Sequence, residues 1–295
     1  MSTTTTTFSV VHRTEYRYSA PMTDGYTVAH LLPRATSAQR VDSAELHVTP
    51  DADDYDEHLD VFGNRVVRLG VHHPHTHLGV TMRATVTSTA PSPVPASPTP
   101  WEDVVVAIAA ARGDRAIDVA AFAAPTGVTP ALAGVRELAA RTFPAGRPFV
   151  EAVRDLCATI HREFAFDAGF SDVSTPLDAV LLARRGVCQD FAHLALACLR
   201  SLGLAGRYVS GYIETLPPPG EAKLVGADAS HAWCSTWSPA TGWFDLDPTN
   251  DQMPPERHVT AGWGRDYHDV APVRGVVIGP PTTQQLVVGV DVTRV

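Results

Sequence analysis

Cys188 lies in the segment Gly186-Val-Cys-Gln-Asp-Phe-Ala-His193, where a glycine-containing loop leads into an amphipathic helical pattern. The pattern predicts a helix from about Cys188 to Leu202, ended by Gly203. The first N–H groups of a helix are unpaired and the dipole is positive there, so a thiol pKa can fall from about 8.5 to about 3.5–7.5. Cys188 is therefore a candidate nucleophile, and the same N–H groups are candidate donors to an oxyanion.

A candidate base and a candidate carboxylate follow Cys188 along the chain. His231 lies early in an expected strand, Ser230-His-Ala-Trp-Cys234, between small residues that leave room for a substrate. A further expected strand, Gly242-Trp-Phe-Asp-Leu-Asp-Pro-Thr-Asn250, ends in carboxylates, and a hairpin would bring one of them to the imidazole. Asp245 and Asp247 share a strand face, so spacing alone does not choose between them.

The rest of the chain predicts an α+β fold. Residues 8–87 alternate apolar and polar side chains over short runs, which is typical of a small antiparallel β domain. Five prolines between Ser88 and Trp101 predict a linker. Helices are expected at about 149–164 and 188–202, and strands at about 207–214, 230–238, 242–246 and 275–295. The predicted domains are an N-terminal β domain (1–88), a linker (89–101) and a catalytic domain with C-terminal strands (102–295).

The composition of the chain indicates which binding partners and which cellular location to expect. The 295 residues include 32 acidic and 23 basic ones, a net charge of -9, and form no lysine- or arginine-rich run that would bind a phosphate backbone or an anionic membrane. Nucleic acid and membrane partners are therefore not expected. A cytoplasmic location is expected, because the N-terminus lacks the basic and apolar regions of a secretory signal and no segment approaches about 18 uninterrupted apolar residues.

Neither a metal nor a cofactor is expected. The run His72-His-Pro-His-Thr-His77 places imidazoles at alternate positions, but no carboxylate or cysteine follows nearby to complete a ligand set, and Pro74 interrupts the strand. The acidic stretch Asp51-Ala-Asp-Asp-Tyr-Asp-Glu57 lacks the glycine and the ligand spacing of a calcium loop. An exposed edge or turn is expected for the histidines and a solvated loop for the acidic stretch.

The other cysteines and the histidine that follows the nucleophile have simpler explanations. His193 lies about 140° around the helix from Cys188 and should not be the base. No Cys-x-x-Cys pair occurs, which argues against a zinc ribbon or a disulfide framework. The remaining cysteines fall within apolar patterns and are expected to be packing residues: Cys157, Cys198 and Cys234.

Three ordered motifs resemble the bacterial transglutaminase-like proteins, which share a papain-like arrangement of cysteine, histidine and aspartate. They are Gly186-Val-Cys-Gln-Asp-Phe-Ala-His193, Ser230-His-Ala-Trp233 and Asp247-Pro-Thr-Asn250. Other segments look like the N-terminal domain and the C-terminal segment of this family: Tyr16-Arg-Tyr18, Leu59-Asp-Val-Phe-Gly-Asn-Arg65, Pro74-His-Thr-His-Leu78 and Gly264-Arg-Asp-Tyr-His-Asp-Val270. The resemblance covers most of the chain and implies a papain-like/transglutaminase-like core with helices packed on an antiparallel sheet.

The resemblance also implies a role for each residue of the triad. Cys188 would be the nucleophile and His231 the base and acid. Asp247, rather than Asp245, would be the carboxylate that orients the imidazole. Gln189, next to the nucleophile, and Trp233, in the histidine motif, are expected to contact substrate.

One departure from the family concerns the oxyanion. Relatives often carry a tyrosine upstream of the nucleophile, where this chain has Phe164-Ala-Phe166, so no side-chain oxyanion donor is assigned beyond the weak candidate Gln189. The loop Leu216-Pro-Pro-Pro-Gly-Glu221 is a candidate specificity element, and an inert surface connection is the alternative.

Two classes of function remain open. In the first, the thiolate attacks a peptide or protein amide and a thioester forms; water then gives a peptidase or amidase, and an amine gives a transglutaminase-type acyltransferase. Hydrolysis is expected, because the resemblance implies protease-like members more readily than protein cross-linkers. The second class is a non-catalytic binding module of the same fold, which the loss of a triad residue would favour. All three residues are present.

Overall fold

The computed structural model describes residues 5–90, 92–113, 118–215, 229–253 and 257–295. Within them the chain is α+β with antiparallel sheets, which confirms the predicted fold class. The candidate specificity element at residues 216–221 lies outside the described residues.

The N-terminal half forms two four-stranded antiparallel sheets around a shared core. In spatial order, the first sheet contains β14 (Gln284–Arg294), β1 (Thr5–Met22), β6 (His75–Thr89) and β3 (Gln39–Thr49). The second sheet contains β13 (Val273–Ile278), β2 (Asp24–Ala29), β5 (Arg65–Val71) and β4 (Asp54–Leu59). Alternate apolar residues of the first sheet, such as Val10 and Met82, share one core with Val67 and Leu69 of the second.

The C-terminal strands complete these two sheets. The sequence places them with the catalytic domain, but β14 pairs with β1, with Val292 opposite Val10, and β13 pairs with β2. Their assignment to the catalytic domain is therefore wrong in spatial terms. The physical reason is that β1 and β2 would otherwise be edge strands with unpaired N–H and C=O groups, which the returning chain satisfies.

The acidic stretch is also more ordered than the sequence predicts. Part of it forms β4, in which Asp54 lies opposite Gly70 and Glu57 opposite Val67 of β5. The expected solvated loop is therefore wrong for this part. Its side chains are exposed, and charged side chains on an edge strand discourage pairing with another chain.

The second half packs helices against a third antiparallel sheet. The helices are α1 (Trp101–Ala110), α2 (Ala133–Thr142), α3 (Phe149–Glu163), α4 (Leu177–Ala183) and α5 (Cys188–Ser201). The sheet contains, in spatial order, β11 (Gly242–Leu246), β10 (Ala229–Ser238), β9 (Gly206–Ile213) and β12 (His258–Gly264). Two short strands, β7 (Ala165–Phe166) and β8 (Arg185–Gly186), pair in parallel, and a 3-10 helix covers Tyr267–Asp269.

None of the described helices has the length and apolarity needed to cross a membrane. These helices differ in how much of their surface is buried. Helix α3 is amphipathic, with Val153, Leu156 and Ile160 on its buried side. Helix α5 is buried along its length between the other helices and the sheet, so it is a central helix and not an amphipathic surface helix. This central position fixes the start of α5 relative to β9 and β10.

A buried cation helps to hold α5 in place. Arg200 donates hydrogen bonds to Phe122 O at 3.1 Å, to Thr129 Oγ1 at 2.8 Å and to Gly206 O at 2.8 Å. Burial lowers the pKa of Arg200 to about 10, which leaves it charged at neutral pH. The guanidinium therefore ties the last turn of α5 to the start of β9.

Candidate active site

Cys188 is the first residue of α5, and local contacts define its position. Asp190 Oδ2 accepts a hydrogen bond from Val187 N–H at 2.8 Å. Gly186 is required because a Cβ at this position would lie 2.6 Å from that carboxylate oxygen. Phe191 N–H donates to Val187 O at 3.1 Å, so the N–H groups of the three preceding residues lie ahead of the helical hydrogen bonds. The sulfur therefore sits at the positive end of the helix.

His231 lies in β10 opposite Gly211 of β9. Its imidazole stacks on the ring of Trp233, with centroids 6.0 Å apart and planes 24° apart. A Cβ on Gly211 would lie 2.7 Å from the Trp233 ring and would clash with Val259 O. Glycine at this position therefore makes room for the indole that supports the imidazole.

Asp247 directly follows β11, in a tight turn that orients its carboxylate. Oδ1 accepts hydrogen bonds from Thr249 N–H at 2.9 Å and Asn250 N–H at 3.3 Å. Oδ2 accepts from His231 Nε2 at 2.8 Å and from Asn250 Nδ2 at 2.6 Å. Burial disfavours the charged form, but the hydrogen bonds from His231 and His258 outweigh it and hold the pKa of Asp247 well below its usual range.

The three side chains lie in one group centred on His231. Asp247 Oδ2 accepts a hydrogen bond from His231 Nε2 at 2.8 Å, and Cys188 interacts electrostatically with the same imidazole. Burial alone would lower the pKa of His231, but the interactions with Asp247 and Cys188 raise it above its usual value. The raised pKa favours the protonated, positively charged form of the imidazole.

Asp245 and Asp247, between which the sequence spacing did not choose, have different hydrogen-bond partners. Asp245 Oδ2 accepts from Trp233 Nε1 at 3.0 Å and makes no described hydrogen bond to His231. Burial raises the pKa of Asp245. Asp245 therefore fixes the indole behind the imidazole, whereas Asp247 bonds the imidazole itself.

Trp233 and Gln189, both expected to contact substrate, lie in different surroundings. The side chain of Trp233 is 0% exposed and packs beside His231, and its contact with substrate remains a prediction. Gln189 is half-buried and lines a cavity of about 360 Å³ beside the helix start, together with Asp190. Contact between Gln189 and substrate remains a prediction.

His193 is a neutral structural residue. Its Nε2 accepts a hydrogen bond from Tyr267 N–H at 3.2 Å, and its ring packs 4.9 Å from that of Tyr208. Burial lowers the pKa of His193 to about 4. Burial, and then the charge of Cys188, raises the pKa of Tyr208, which places a tyrosine of β9 in the electrostatic environment of the nucleophile.

Among the cysteines, the thiol of Cys188 is the accessible one. The other three are buried, and burial raises the pKa of each of their thiols. We therefore expect iodoacetamide at mildly acidic pH to label Cys188 first, with peptide mapping by mass spectrometry as the measurement. Unfolded protein is the control, in which all four should react alike. Equal labelling in the folded protein, or labelling of Cys157 first, would contradict the thiolate assignment.

Sequence reasoning missed one residue of the site, His258. It begins β12, and its Nε2 lies 3.0 Å from Asp247 Oδ2, the same oxygen that His231 bonds. Its ring lies 5.3 Å from that of His231 and meets Trp233 edge-on at 4.9 Å. A histidine placed shortly after the Asp247-Pro-Thr-Asn250 turn, at the start of a strand, was the available signal.

Within the described part of the chain, His231, Asp247 and His258 are also the group whose ligating atoms lie close enough together that they could hold a metal ion. One ligating atom each from His231, Asp247 and His258 lies within 4.8 Å of the other two. Two imidazoles and a carboxylate are a ligand set that zinc enzymes use. Here the atoms are joined directly by hydrogen bonds of 2.8 and 3.0 Å, which account for their close approach.

The histidine run has carboxylate partners that the sequence did not predict. His72 Nδ1 lies 2.9 Å from Asp24 Oδ1 and its Nε2 lies 2.9 Å from Asp54 Oδ2, while His73 Nδ1 lies 3.1 Å from Asp53 Oδ2. The expectation that no carboxylate lies nearby is wrong, because strand pairing brings β2 and β4 to either side of β5. Hydrogen bonds to Asp54 and Asp24 raise the pKa of His72.

Comparison with known proteins gives the class to which this fold and site belong. Residues 8–87 match the bacterial transglutaminase-like N-terminal region, and residues 136–248 match the transglutaminase-like superfamily. The second match contains Cys188, His231 and Asp247. The chain belongs to the bacterial transglutaminase-like proteins, and its fold is one that supports cysteine-based catalysis.

Relatives and a solved structure match along nearly the whole chain. An uncharacterised protein of Mycobacterium tuberculosis is 41% identical over 293 residues, covering 97% of this chain and 92% of the relative. One from Mycobacterium leprae is 35% identical over 289 residues, covering 97% and 98%. A crystal structure from Cytophaga hutchinsonii, described as a candidate cysteine protease, has a TM-score of 0.76 and 21% identity, covering 99% of this chain and 91% of that one.

Proposed function

We propose that the protein is a cysteine-nucleophile hydrolase, a peptidase or amidase, which cleaves amide bonds through a thioester acyl-enzyme. The observation that carries the proposal is the grouping of Cys188, at the start of α5, with His231, whose Nε2 lies 2.8 Å from Asp247 Oδ2 and whose pKa the interaction with Cys188 helps to raise. The position of the sulfur at the start of α5 supports it, because helix N–H groups favour both a thiolate and an oxyanion.

The first half of the reaction forms the thioester. The thiolate of Cys188 attacks the amide carbonyl carbon, and the carbonyl oxygen takes up the negative charge beside the N–H groups of Cys188 and Gln189. The imidazolium of His231 gives its proton to the amine nitrogen as the C–N bond breaks. The amine leaves, the acyl group remains on sulfur, and His231 is neutral.

The second half consumes water. Neutral His231 takes a proton from a water molecule, whose oxygen attacks the thioester carbon. The C–S bond then breaks, the carboxylic acid leaves, and the thiolate and imidazolium are restored. Asp247 accepts the hydrogen bond from His231 in both halves, so it holds the imidazole in one orientation and stabilises its positive form.

A peptide or protein amide is the proposed substrate class. The Cytophaga hutchinsonii protein is described as a candidate cysteine protease, which supports a peptidase over a cross-linking enzyme. The cavity lined by Gln189 and Asp190 is the proposed place for part of the acyl donor. A screen of peptide p-nitroanilides that measures release of p-nitroaniline would identify a donor.

The acceptor is expected to be water. The net charge of -9 supplies only a diffuse attraction for cationic amines, and nothing in the sequence motifs suggests a dedicated lysine site. With a cleaved substrate in isotopically labelled water, the acid product should gain one labelled oxygen, and primary amines should compete only at high concentration. Mass spectrometry of the products is the measurement.

The possible outcomes separate three functions. A primary amine at millimolar concentration, on the order of a metabolite concentration, is the competing acceptor. If most of the product is then a new amide, the protein is an acyltransferase with the same nucleophile and thioester. Failure of the wild-type protein to release product from any donor, combined with an unlabelled Cys188, would favour the non-catalytic binding module. Labelled acid as the main product supports the hydrolase.

A further inference from the structure

His258 bonds the triad carboxylate from a separate strand. Its Nε2 lies 3.0 Å from Asp247 Oδ2, and its side chain is 5% exposed. His231 Nε2 and Asn250 Nδ2 approach the same oxygen at 2.8 and 2.6 Å. Three nitrogen donors thus converge on one carboxylate oxygen, which is an arrangement that only an ionised carboxylate satisfies.

The position of His258 is fixed on two sides. Its ring meets the face of Trp233 at 4.9 Å and 79°, and Trp233 also stacks on His231. Trp233 is in turn held by its hydrogen bond to Asp245. The two imidazoles therefore share both a carboxylate partner and an aromatic support, so that movement of His258 would be transmitted to the environment of His231.

The imidazole of His258 can have a role at one stage of the catalytic cycle. In the proposed reaction, which the inference rests on, His231 is an imidazolium before acylation and neutral in the thioester. Asp247 is buried throughout, so in the thioester stage it loses its main positive partner. The donor on His258 remains and keeps Asp247 ionised and in place when His231 must remove a proton from water.

We propose that His258 is a positioning residue, which acts through Asp247 to fix the carboxylate toward His231 during hydrolysis of the thioester. His258 touches neither the sulfur nor the acyl group in this account. Its effect is therefore expected on the rate of deacylation, not on the formation of the acyl-enzyme or on substrate binding.

The test uses p-nitrophenyl acetate, which acylates a reactive cysteine without a specific donor site. Wild-type protein should release a burst of p-nitrophenolate equal to the enzyme concentration and then turn over slowly as the acetyl thioester is hydrolysed. His258→Leu, which removes the donor, should keep the burst and slow the later phase roughly tenfold or more. His258→Gln, whose side-chain N–H can reach the same oxygen, should recover most of that rate.

A double-mutant cycle separates positioning from simple destabilisation. In an Asp247→Asn background, His258→Leu should cost little further activity, because the carboxylate through which it acts is already gone. Thermal unfolding of each variant checks the fold, and His258→Asn, too short to reach Asp247, replaces the leucine variant if that one does not fold.

Different results would overturn different claims. A leucine variant with wild-type deacylation, a glutamine variant no better than leucine, or fully multiplicative losses with Asp247→Asn would each refute the role of His258. If the wild-type protein shows no burst, or a burst that persists without Cys188, the proposed thioester chemistry is refuted.

Discussion

Replacement of Cys188 by alanine is expected to abolish turnover while leaving the protein folded. The side chain is half-buried at the start of α5, so its removal takes away the nucleophile and little packing. Loss of the nucleophile in enzymes of this kind costs about 10,000-fold or more in kcat, or about 5 kcal/mol of transition-state stabilisation. Steady-state release of p-nitroaniline from a peptide anilide is the measurement.

The matched control is Cys157→Ala. Cys157 is a buried core residue of α3, so this variant should lose stability through a small cavity but keep its specific activity where it folds. Comparable activity in Cys188→Ala and wild type would refute covalent catalysis at this residue. Circular dichroism and the thermal unfolding temperature show whether each variant retains the native fold.

Asp247→Asn should give the second large effect, with kcat lowered by about 10,000-fold at neutral pH. Asparagine keeps the volume, but its amide group offers one acceptor where the carboxylate binds three nitrogen donors at Oδ2. Without the negative charge, the pKa of His231 should fall from its raised value, since Asp247 is a main cause of that rise. Activity should therefore disappear first on the alkaline side, where the imidazolium is lost.

Asp245→Asn is the control for position and charge. Asp245 lies in β11, two residues before Asp247, and accepts a hydrogen bond from Trp233, which asparagine can still accept through its carbonyl oxygen. Its loss in kcat should be far smaller than that of Asp247→Asn. Equal losses for the two variants would show that the hydrogen bond between His231 and Asp247 does not have the role assigned to it.

The parts of the site that the sequence predicts are those carried by short local patterns. The start of α5 at Cys188 follows from a glycine-containing loop, an apolar periodicity and a helix end at Gly203, which act within a few residues. Strands β9, β10 and β11 likewise follow from alternation and turns. The order of the three motifs then identifies the family that the comparisons confirm.

What the sequence does not predict depends on contacts between distant segments. The pairing of β14 with β1 joins the two ends of the chain, and nothing local in Leu286 to Val292 specifies which edge it meets. The burial of Trp233 depends on space left by Gly211 of another strand. Trp233 is apolar, aromatic and close to the base, a pattern shared by substrate-binding and packing residues alike.

His258 shows the same limit within the site. Spacing relates Asp245 and Asp247 to His231 through one hairpin, but the convergence of β12 on the carboxylate requires the order β11-β10-β9-β12 of the folded sheet. Its position after the Asp247-Pro-Thr-Asn250 turn is the one sequence signal, but that position alone does not distinguish His258 from an exposed strand histidine such as His47 of β3. Three-dimensional structure is therefore needed to see that two imidazoles share Asp247.

The most direct test of the central claim is the mass of the Cys188 peptide from enzyme quenched in acid during turnover of an amide substrate. We predict that this peptide carries the acyl group of the substrate, that hydroxylamine removes it as expected for a thioester, and that Cys188→Ala shows neither adduct nor product. A thioester mechanism at Cys188 would be contradicted by product formation without an adduct under conditions in which the acyl-enzyme should accumulate. An adduct on a different residue would contradict it as well.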